Sequence, residues 1–340
     1  MNFPPGKLPI DVLDRLLSTH TTQQDPRVVV GARVGEDAAV IDFGDRYLIA
    51  KTDPITFATN DIGHYAIPVN ANDIATMGAT PRWFLATILL PEPNTDEALV
   101  ETIFASLHKA AQDIGVAICG GHTEITVGLD RPIVVGQMLG EVAKENLIQS
   151  TNLQPNDCIL LTKGLGIEAT AIIANEKRDV LETAGILPDT ITKAAQYLYT
   201  PGISILKEAQ IACQTASINA MHDPTEGGVA TALREWAQAA QVGLHINGDV
   251  LPIAPETQQL CDLFKLDTLG VISSGALLIG VSPSDAQSVC QAILKANIPC
   301  AIIGQVKEKS FGLKITYNKT TTNLPIFDRD EIGKIFSSSS

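Results

Sequence analysis

Four carboxylates stand where the chain is expected to turn: Asp37 in GEDAAV, Asp53 in KTDP, Asp73 in NANDIATMGA and Asp223 in HDPTEGG. A set of carboxylates without His–Cys companions suits Mg2+, a hard cation held by oxygen ligands and by substrate phosphates, and suits zinc poorly. Asp73 is the most informative of the four. Ile62, Ala66, Val69 and Asp73 share one helical face if the helix continues through Pro68, and a carboxylate on an inward face needs a cationic partner or must take up a proton. Taken singly, each aspartate also has a plainer reading: a turn residue for Asp37, a salt-bridged Asp73, a helix N-cap for Asp223.

Glycines flank three further segments, GGHTE (Gly120 to Glu124), KGLG (Lys163 to Gly166) and EGG (Glu226 to Gly228). Read as strand-to-helix turns, they supply backbone N–H groups on which an anion can lie without a lysine. A tight turn explains each glycine pair equally well. None matches GxxxxGK[ST] or GxGxxG, and no GxSxG elbow or Ser-His-Asp pattern supports acyl-transfer hydrolysis. His122 and His222 lie in these segments, as hydrogen-bonding residues or as groups that titrate near neutral pH.

The elements that must position these groups follow from periodicity and punctuation. Ala38 to Asp42 and Tyr47 to Thr52 read as a hairpin. Asp61 to Gly78 reads as a helix that Pro68 should bend or divide. Thr95 to Ile114 carries the stripe Leu99, Ile103, Leu107, Ala110 and Ile114, with Asn94 and Glu97 as a capping box and Gly115 as its stop. Strands Val116–Cys119 and Pro132–Val142 follow. The polar stretch Ser150 to Asp157 marks a domain boundary, giving domains 1–150 and 151–340. Beyond it, Cys158–Thr162 leads through KGLG into a helical pattern. Ser217–Met221 reads as a strand, Val229 to Ala240 as a helix, and Leu277–Val281, Asp285–Ala296 and Pro299–Gly304 as strand, helix and strand. Both halves are therefore α/β. Ser337–Ser340 reads as a short flexible tail.

Composition narrows the partners. The 340 residues carry 24 Lys and Arg against 38 Asp and Glu, a net charge of −14, which repels nucleic-acid backbones and anionic lipid. A phosphate ligand must then be held locally, by backbone amides and a divalent cation. The longest apolar run, Trp83 to Leu90 interrupted by Thr87, is far short of the roughly 20 residues of a membrane helix. No secretory or transit signal is legible in MNFPPGKLPID, and six scattered cysteines without CxxC fit a reducing, cytoplasmic setting as buried or inert thiols.

Read in order, these segments resemble the superfamily of aminoimidazole ribonucleotide (AIR) synthetase, thiamine-monophosphate kinase, selenophosphate synthetase and the hydrogenase-maturation protein HypE. GEDAAV is similar to G-D-D-A-A-V, KTDP to a strand-ending T-D, NANDIATMGATP to N-D-L-A-x-M-G-A-x-P, and GGHTE to G-G-D-T or G-G-E-T. HDPTEGGVATALREWA resembles the HypE segment D-P-T-R-G-G-L-A-T-A-L; DTLGVISSGALLIGV and the opening GKLPIDVLDRLL are HypE-like as well. The resemblance implies a two-domain AIR synthase-like fold, with an N-terminal mixed sheet pairing across a homodimer and a C-terminal α/β domain. It implies ATP bound with Mg2+ at the N-terminal domain. Asp37, Asp53 and Asp73 become metal and phosphate carboxylates, Asn72 their neighbour, and Gly120, Gly121 and Thr123 the phosphate segment. Asp73, Asp223 and His122 are the catalytic candidates, with Glu124 a possible metal ligand because His122 stands where several members have an acidic residue. Glu36 replaces the first Asp of G-D-D, and the last cysteine is Cys300, whereas HypE ends in a reactive one. The implied reaction is ATP-dependent activation of a carbonyl or amide oxygen on a separate, unidentified acceptor, with a protein partner possible. The alternatives are a small-molecule kinase of the thiamine-monophosphate kinase type and a nucleotide-binding partner protein without turnover.

Overall fold

A computed structural model describes residues 8–21, 25–56 and 61–336. The reading of Ser337–Ser340 as a tail lies outside the described residues, as does the start of the HypE-like opening. After helix α1 (Ile10–His20), the chain forms two compact units, one built from residues 25–32 and 37–147, the other from 8–21, 33–36 and 148–336.

The first unit is a six-stranded sheet of β1 (Val28–Val30), β2 (Ala39–Asp42), β3 (Arg46–Ile55), β4 (Thr80–Pro91), β5 (Ala117–Thr126) and β6 (Ile133–Ala143), with two helices, α2 (Ile62–Thr76) and α3 (Glu97–Asp113). Its spatial order is β1-β2-β3-β6-β4-β5, antiparallel except for the β4–β5 pair, so the sheet is mixed. Strand alternation sends Val134, Met138 and Val142 of β6 to the buried face, where α2 lies, while Val135, Gln137 and Leu139 point to the more open one. Helix α2 is covered almost all round, between sheet and α3, and it runs unbroken through Pro68, which is itself buried. Packing on both sides outweighs the hydrogen bond the proline removes. The N-cap of α3 is Asp96, whose carboxylate accepts from the Leu99 amide at 2.8 Å, so the Asn94–Glu97 box is displaced by two residues. Ile103, Leu107 and Ala110 of the α3 stripe are buried.

The second unit carries β7 (Cys158–Thr162), α4 (Ile167–Glu176), α5 (Arg178–Thr183), α6 (Pro188–Ala195), α7 (Leu206–Thr215), β8 (Ile218–His222), α8 (Gly228–Ala240), β9 (Gly243–Asn247), α9 (Pro255–Phe264), β10 (Leu278–Val281), α10 (Ala286–Lys295), β11 (Cys300–Lys307), β12 (Leu313–Tyr317) and β13 (Thr320–Asn323). The sheet order is β13-β12-β9-β11-β7-β10-β8, with only β12–β9 parallel. Strand β7 is apolar on both faces: Ile159 and Leu161 pack with Val229, Leu233 and Trp236 of α8, while Leu160, turned the other way, is equally buried. A second core joins α4, α6 and α9 through Ile173, Ile191 and Leu260. The cysteines are not uniformly interior. Cys261 and Cys290 are buried, but Cys119 and Cys213 are exposed.

Candidate functional site

The polar centre of the first unit is built by β3 and α2. Lys51 and Asp53, two residues apart, share the strand face that also carries Ile49 and Ile55, and α2 lies over that face with Asp73. The Lys51 ammonium lies 3.6 Å from Asp53 Oδ2 and 3.3 Å from Asp73 Oδ2. Two carboxylates thus converge on one cation. Asp73 is buried, whereas Lys51 and Asp53 keep about a fifth and a third of their side chains in solvent. Asp73 is salt-bridged in this structure, to a lysine that no motif in the sequence singles out. The signal was present, since period two places Lys51 on the face of Asp53.

Close approach of helix to sheet makes this possible. At Gly136, which pairs with Asp53 in register, an added Cβ would sit 2.3 Å from Asn70 Nδ2. Asn70 donates to the carbonyls of Asp53 (3.3 Å) and Ala66 (2.9 Å), tying α2 to the end of β3. Asn72 is fully buried in the same helix. Asp37 is buried just before β2, whose pairing with β3 ends at Ala39↔Ala50, so it enters at the same sheet end as Asp53.

GGHTE is not a strand-to-helix turn. It lies inside β5, and residues 117–125 are exposed. Gly121 has φ 152°, and a Cβ there would meet the Ala86 carbonyl at 2.0 Å, so glycine is required by the pairing with β4. The register Asp53↔Gly136, Gly136↔Ala86, Ala86↔Gly121 puts Gly120, Gly121, His122, Thr123 and Glu124 across three strand spacings from Asp53, about 14 Å. Within one chain they do not join Asp53 and Asp73. His122 and Glu124 meet each other instead, at 3.3 Å.

At the glycine turns of the second unit the amides meet acceptors of the chain, as in the tight-turn reading. In KGLG the amides of Lys163, Gly164, Leu165 and Gly166 donate to Pro299 O, Thr162 O, Pro252 O and Ser273 Oγ. Those donors are spent internally. In EGG the Gly227 amide donates to Asp330 Oδ2 at 2.7 Å, so the anion at that turn is the chain's own. Burial pushes the Asp330 carboxyl up to about 6, against the lowering effect of the Gly227, Ile332 and Ile272 amides. Asp223 is buried at the end of β8, and α8 is capped by Gly227 in the left-handed region, so Asp223 is not its N-cap. His222 beside it lies 3.6 Å from Glu235 of α8. Glu36, the replacement in the GED motif, pairs with Arg33 at 2.7 Å.

The donors at Asp53 and Asp73 are all oxygens, and the ammonium between them marks where a cation is accommodated. Such a set fits Mg2+. Residues 35–142 match the model of the AIR synthase related protein N-terminal domain, and residues 154–316 that of its C-terminal domain. The chain belongs to the AIR synthase-related family. This AIR synthase-related chain is 31% identical to a putative hydrogenase expression/formation protein of Methanocaldococcus jannaschii over 276 residues, 79% of this chain and 77% of that protein. It is 30% identical to the carbamoyl dehydratase HypE of Rhodobacter capsulatus over 274 residues, 79% and 76% of the two chains. Among solved structures, HypE in the HypE–HypF complex superposes with a TM-score of 0.75 at 21% identity, covering 92% of this chain and 99% of that one. HypE in complex with ATP gives 0.71 at 22% identity, covering 94% and 95%. The two-domain α/β fold expected from the motifs is therefore the fold of this chain.

Proposed function

We propose that this protein is an ATP- and Mg2+-dependent enzyme of the HypE-like branch, activating a carbonyl or amide oxygen of an acceptor by phosphorylation. The observation that carries the reading is the convergence of Asp53 and Asp73 on one cation position beneath α2. In phosphoryl transfer the protein's work is positioning and charge neutralisation. Asp37, Asp53 and Asp73 are the oxygen ligands that would hold Mg2+, which supplies charge neutralisation at the transferring phosphate. Asn70 ties α2, and with it Asp73, to the end of β3. Asp223 is the catalytic candidate of its own unit. A protein partner is part of the proposal, because the HypE relative is known in a complex with HypF. The fate of labelled oxygen tests the reaction: with 18O in the acceptor carbonyl, label is expected in inorganic phosphate. Label retained in a phosphorylated product makes the protein a kinase, and ATP binding without turnover makes it a nucleotide-binding partner.

A homodimer completes the proposal. Strand β5 is a ten-residue sheet edge, and the adjoining sheet face exposes Trp83 and half-exposes Leu85, Leu89, Val135 and Leu139. An edge and face of this kind invite a second sheet. Pairing there would let Gly120, Gly121, His122, Thr123 and Glu124 serve the partner's nucleotide, which explains why they stand away from Asp53 of their own chain. Sedimentation at micromolar concentration should give twice 36.2 kDa. A 36.2 kDa species that binds ATP tightly would refute the dimer.

A further inference from the structure

A carboxylate pair built to hold a divalent cation has no evident need of a lysine. Here one is supplied on the same strand face, two residues from Asp53, with its ammonium within 3.6 Å of both acids. We infer that Lys51 is an exchangeable counter-cation of the Asp53–Asp73 pair, expelled by an entering divalent metal and re-paired with the polyphosphate that accompanies it. The inference rests on the metal-site reading of those two aspartates and assigns Lys51 the task of making metal binding depend on nucleotide.

Charge bookkeeping carries it. The Asp53 and Asp73 carboxylates with the Lys51 ammonium carry −1 between them, and a divalent ion added alone would take those three groups to +1, with two cations competing for the same oxygens; Asp37 shifts every state by the same −1. Without the lysine the same addition goes from −2 to neutral. Metal alone is therefore disfavoured by Lys51, and metal with polyphosphate is not, because the displaced ammonium meets a new anion. Burial sharpens the effect, since Asp73 is nearly solvent-free and interactions there are screened far less than at the surface. The lysine has room to move: about a fifth of its side chain is exposed, and its four-carbon stem is flexible. In the absence of metal the ammonium has a structural use too, because removing it would leave the Asp73 carboxylate without its lysine partner under α2.

The test uses Mn2+ alone, followed by electron paramagnetic resonance, on the full chain and on Lys51→Met, with Lys51→Arg as the charge-keeping control. Mn2+ should bind Lys51→Met at least about tenfold more tightly than the wild type, with Lys51→Arg close to the wild type. Lys51→Met should also melt lower than the wild type in chelator and gain more in melting temperature when Mn2+ is added. Pyrophosphate without metal should bind Lys51→Met more weakly. Equal or weaker Mn2+ affinity in Lys51→Met overturns the inference, and so does an absence of Mn2+ binding by every variant. The two readings fail separately. Unchanged Mn2+ affinity with intact ATP turnover removes the role of Lys51 alone, whereas tighter Mn2+ binding in a protein that never turns over ATP leaves that role standing and removes the enzyme.

Discussion

Each unit contains a lysine held by carboxylate, and the two pairs are built differently. In the second unit Lys163 is almost fully buried, and its ammonium donates to Gly202 O (3.0 Å) and Ser204 O (2.5 Å) while pairing with Glu208 at 3.0 Å. Burial pulls the Lys163 ammonium below its ordinary range, and Glu208 opposes that shift. All three donors are used, and they fasten the KGLG turn to α7 through Glu208 and to the segment before it through Gly202 and Ser204. In the first unit Lys51 bridges two acids at longer distances and remains partly in water. The difference teaches that Lys163 is held wholly by interior partners, whereas the Lys51 ammonium is shared between two acids at a partly solvated position.

The largest expected effect lies at the buried pair. Glu208→Ala leaves an uncompensated ammonium inside the protein and should cost about 3–5 kcal/mol, read as a lowered urea midpoint, with the double variant Lys163→Met/Glu208→Ala recovering part of the loss. A smaller loss than in Asp73→Asn would reverse the contrast between the two pairs.

A milder effect is expected where the chain end meets the EGG turn. The Asp330 carboxyl, raised to about 6 in the fold against roughly 3.9 in an unfolded chain, binds its proton more tightly when folded. Its contribution to stability is therefore fully present below about pH 4 and is lost as pH rises through 6. Asp330→Asn should flatten the stability profile by about 2–3 kcal/mol between pH 4 and 7, measured by chemical denaturation across that range. An unchanged slope would mean that another group governs it.

The elements with strong periodicity were legible in the sequence: the β2–β3 hairpin, the α3 stripe, α8 and the closing β10-α10-β11 run match their expected places within a few residues. Local rules located most of them because one face is buried, and β10 because its short apolar run is buried on both faces. Glycine was the ambiguous signal. At Gly121, Gly164 and Gly227 the sequence leaves an anion cradle and a tight turn equally open; in the fold Gly121 relieves a contact with a neighbouring strand, and the amides of Gly164 and Gly227 meet acceptors of the chain itself. Long-range pairing, which places Ala86 against Gly121 and Asp330 against Gly227, is invisible to a local reading. Asp53 and Asp73 stand in recognisable motifs, whereas Lys51 and Asn70 carry no motif, and the contacts that join β3 to α2, Lys51 to Asp73 and Asn70 to the Asp53 carbonyl, are long-range. Strands β9, β12 and β13 passed unread, and the Asp96 cap was missed for the neighbouring Asn94.

The central claim is that Asp73 belongs to a nucleotide-metal site, and calorimetric titration with ATP and Mg2+ tests it most directly. Asp130 is the proper control, since it is largely exposed and pairs with its neighbour Arg131 at 3.0 Å. Asp73→Asn should keep its fold and bind MgATP at least about tenfold more weakly, while Asp130→Asn binds like the wild type. Equal affinities in the two variants would contradict the account and return Asp73 to the role of a salt-bridged structural residue.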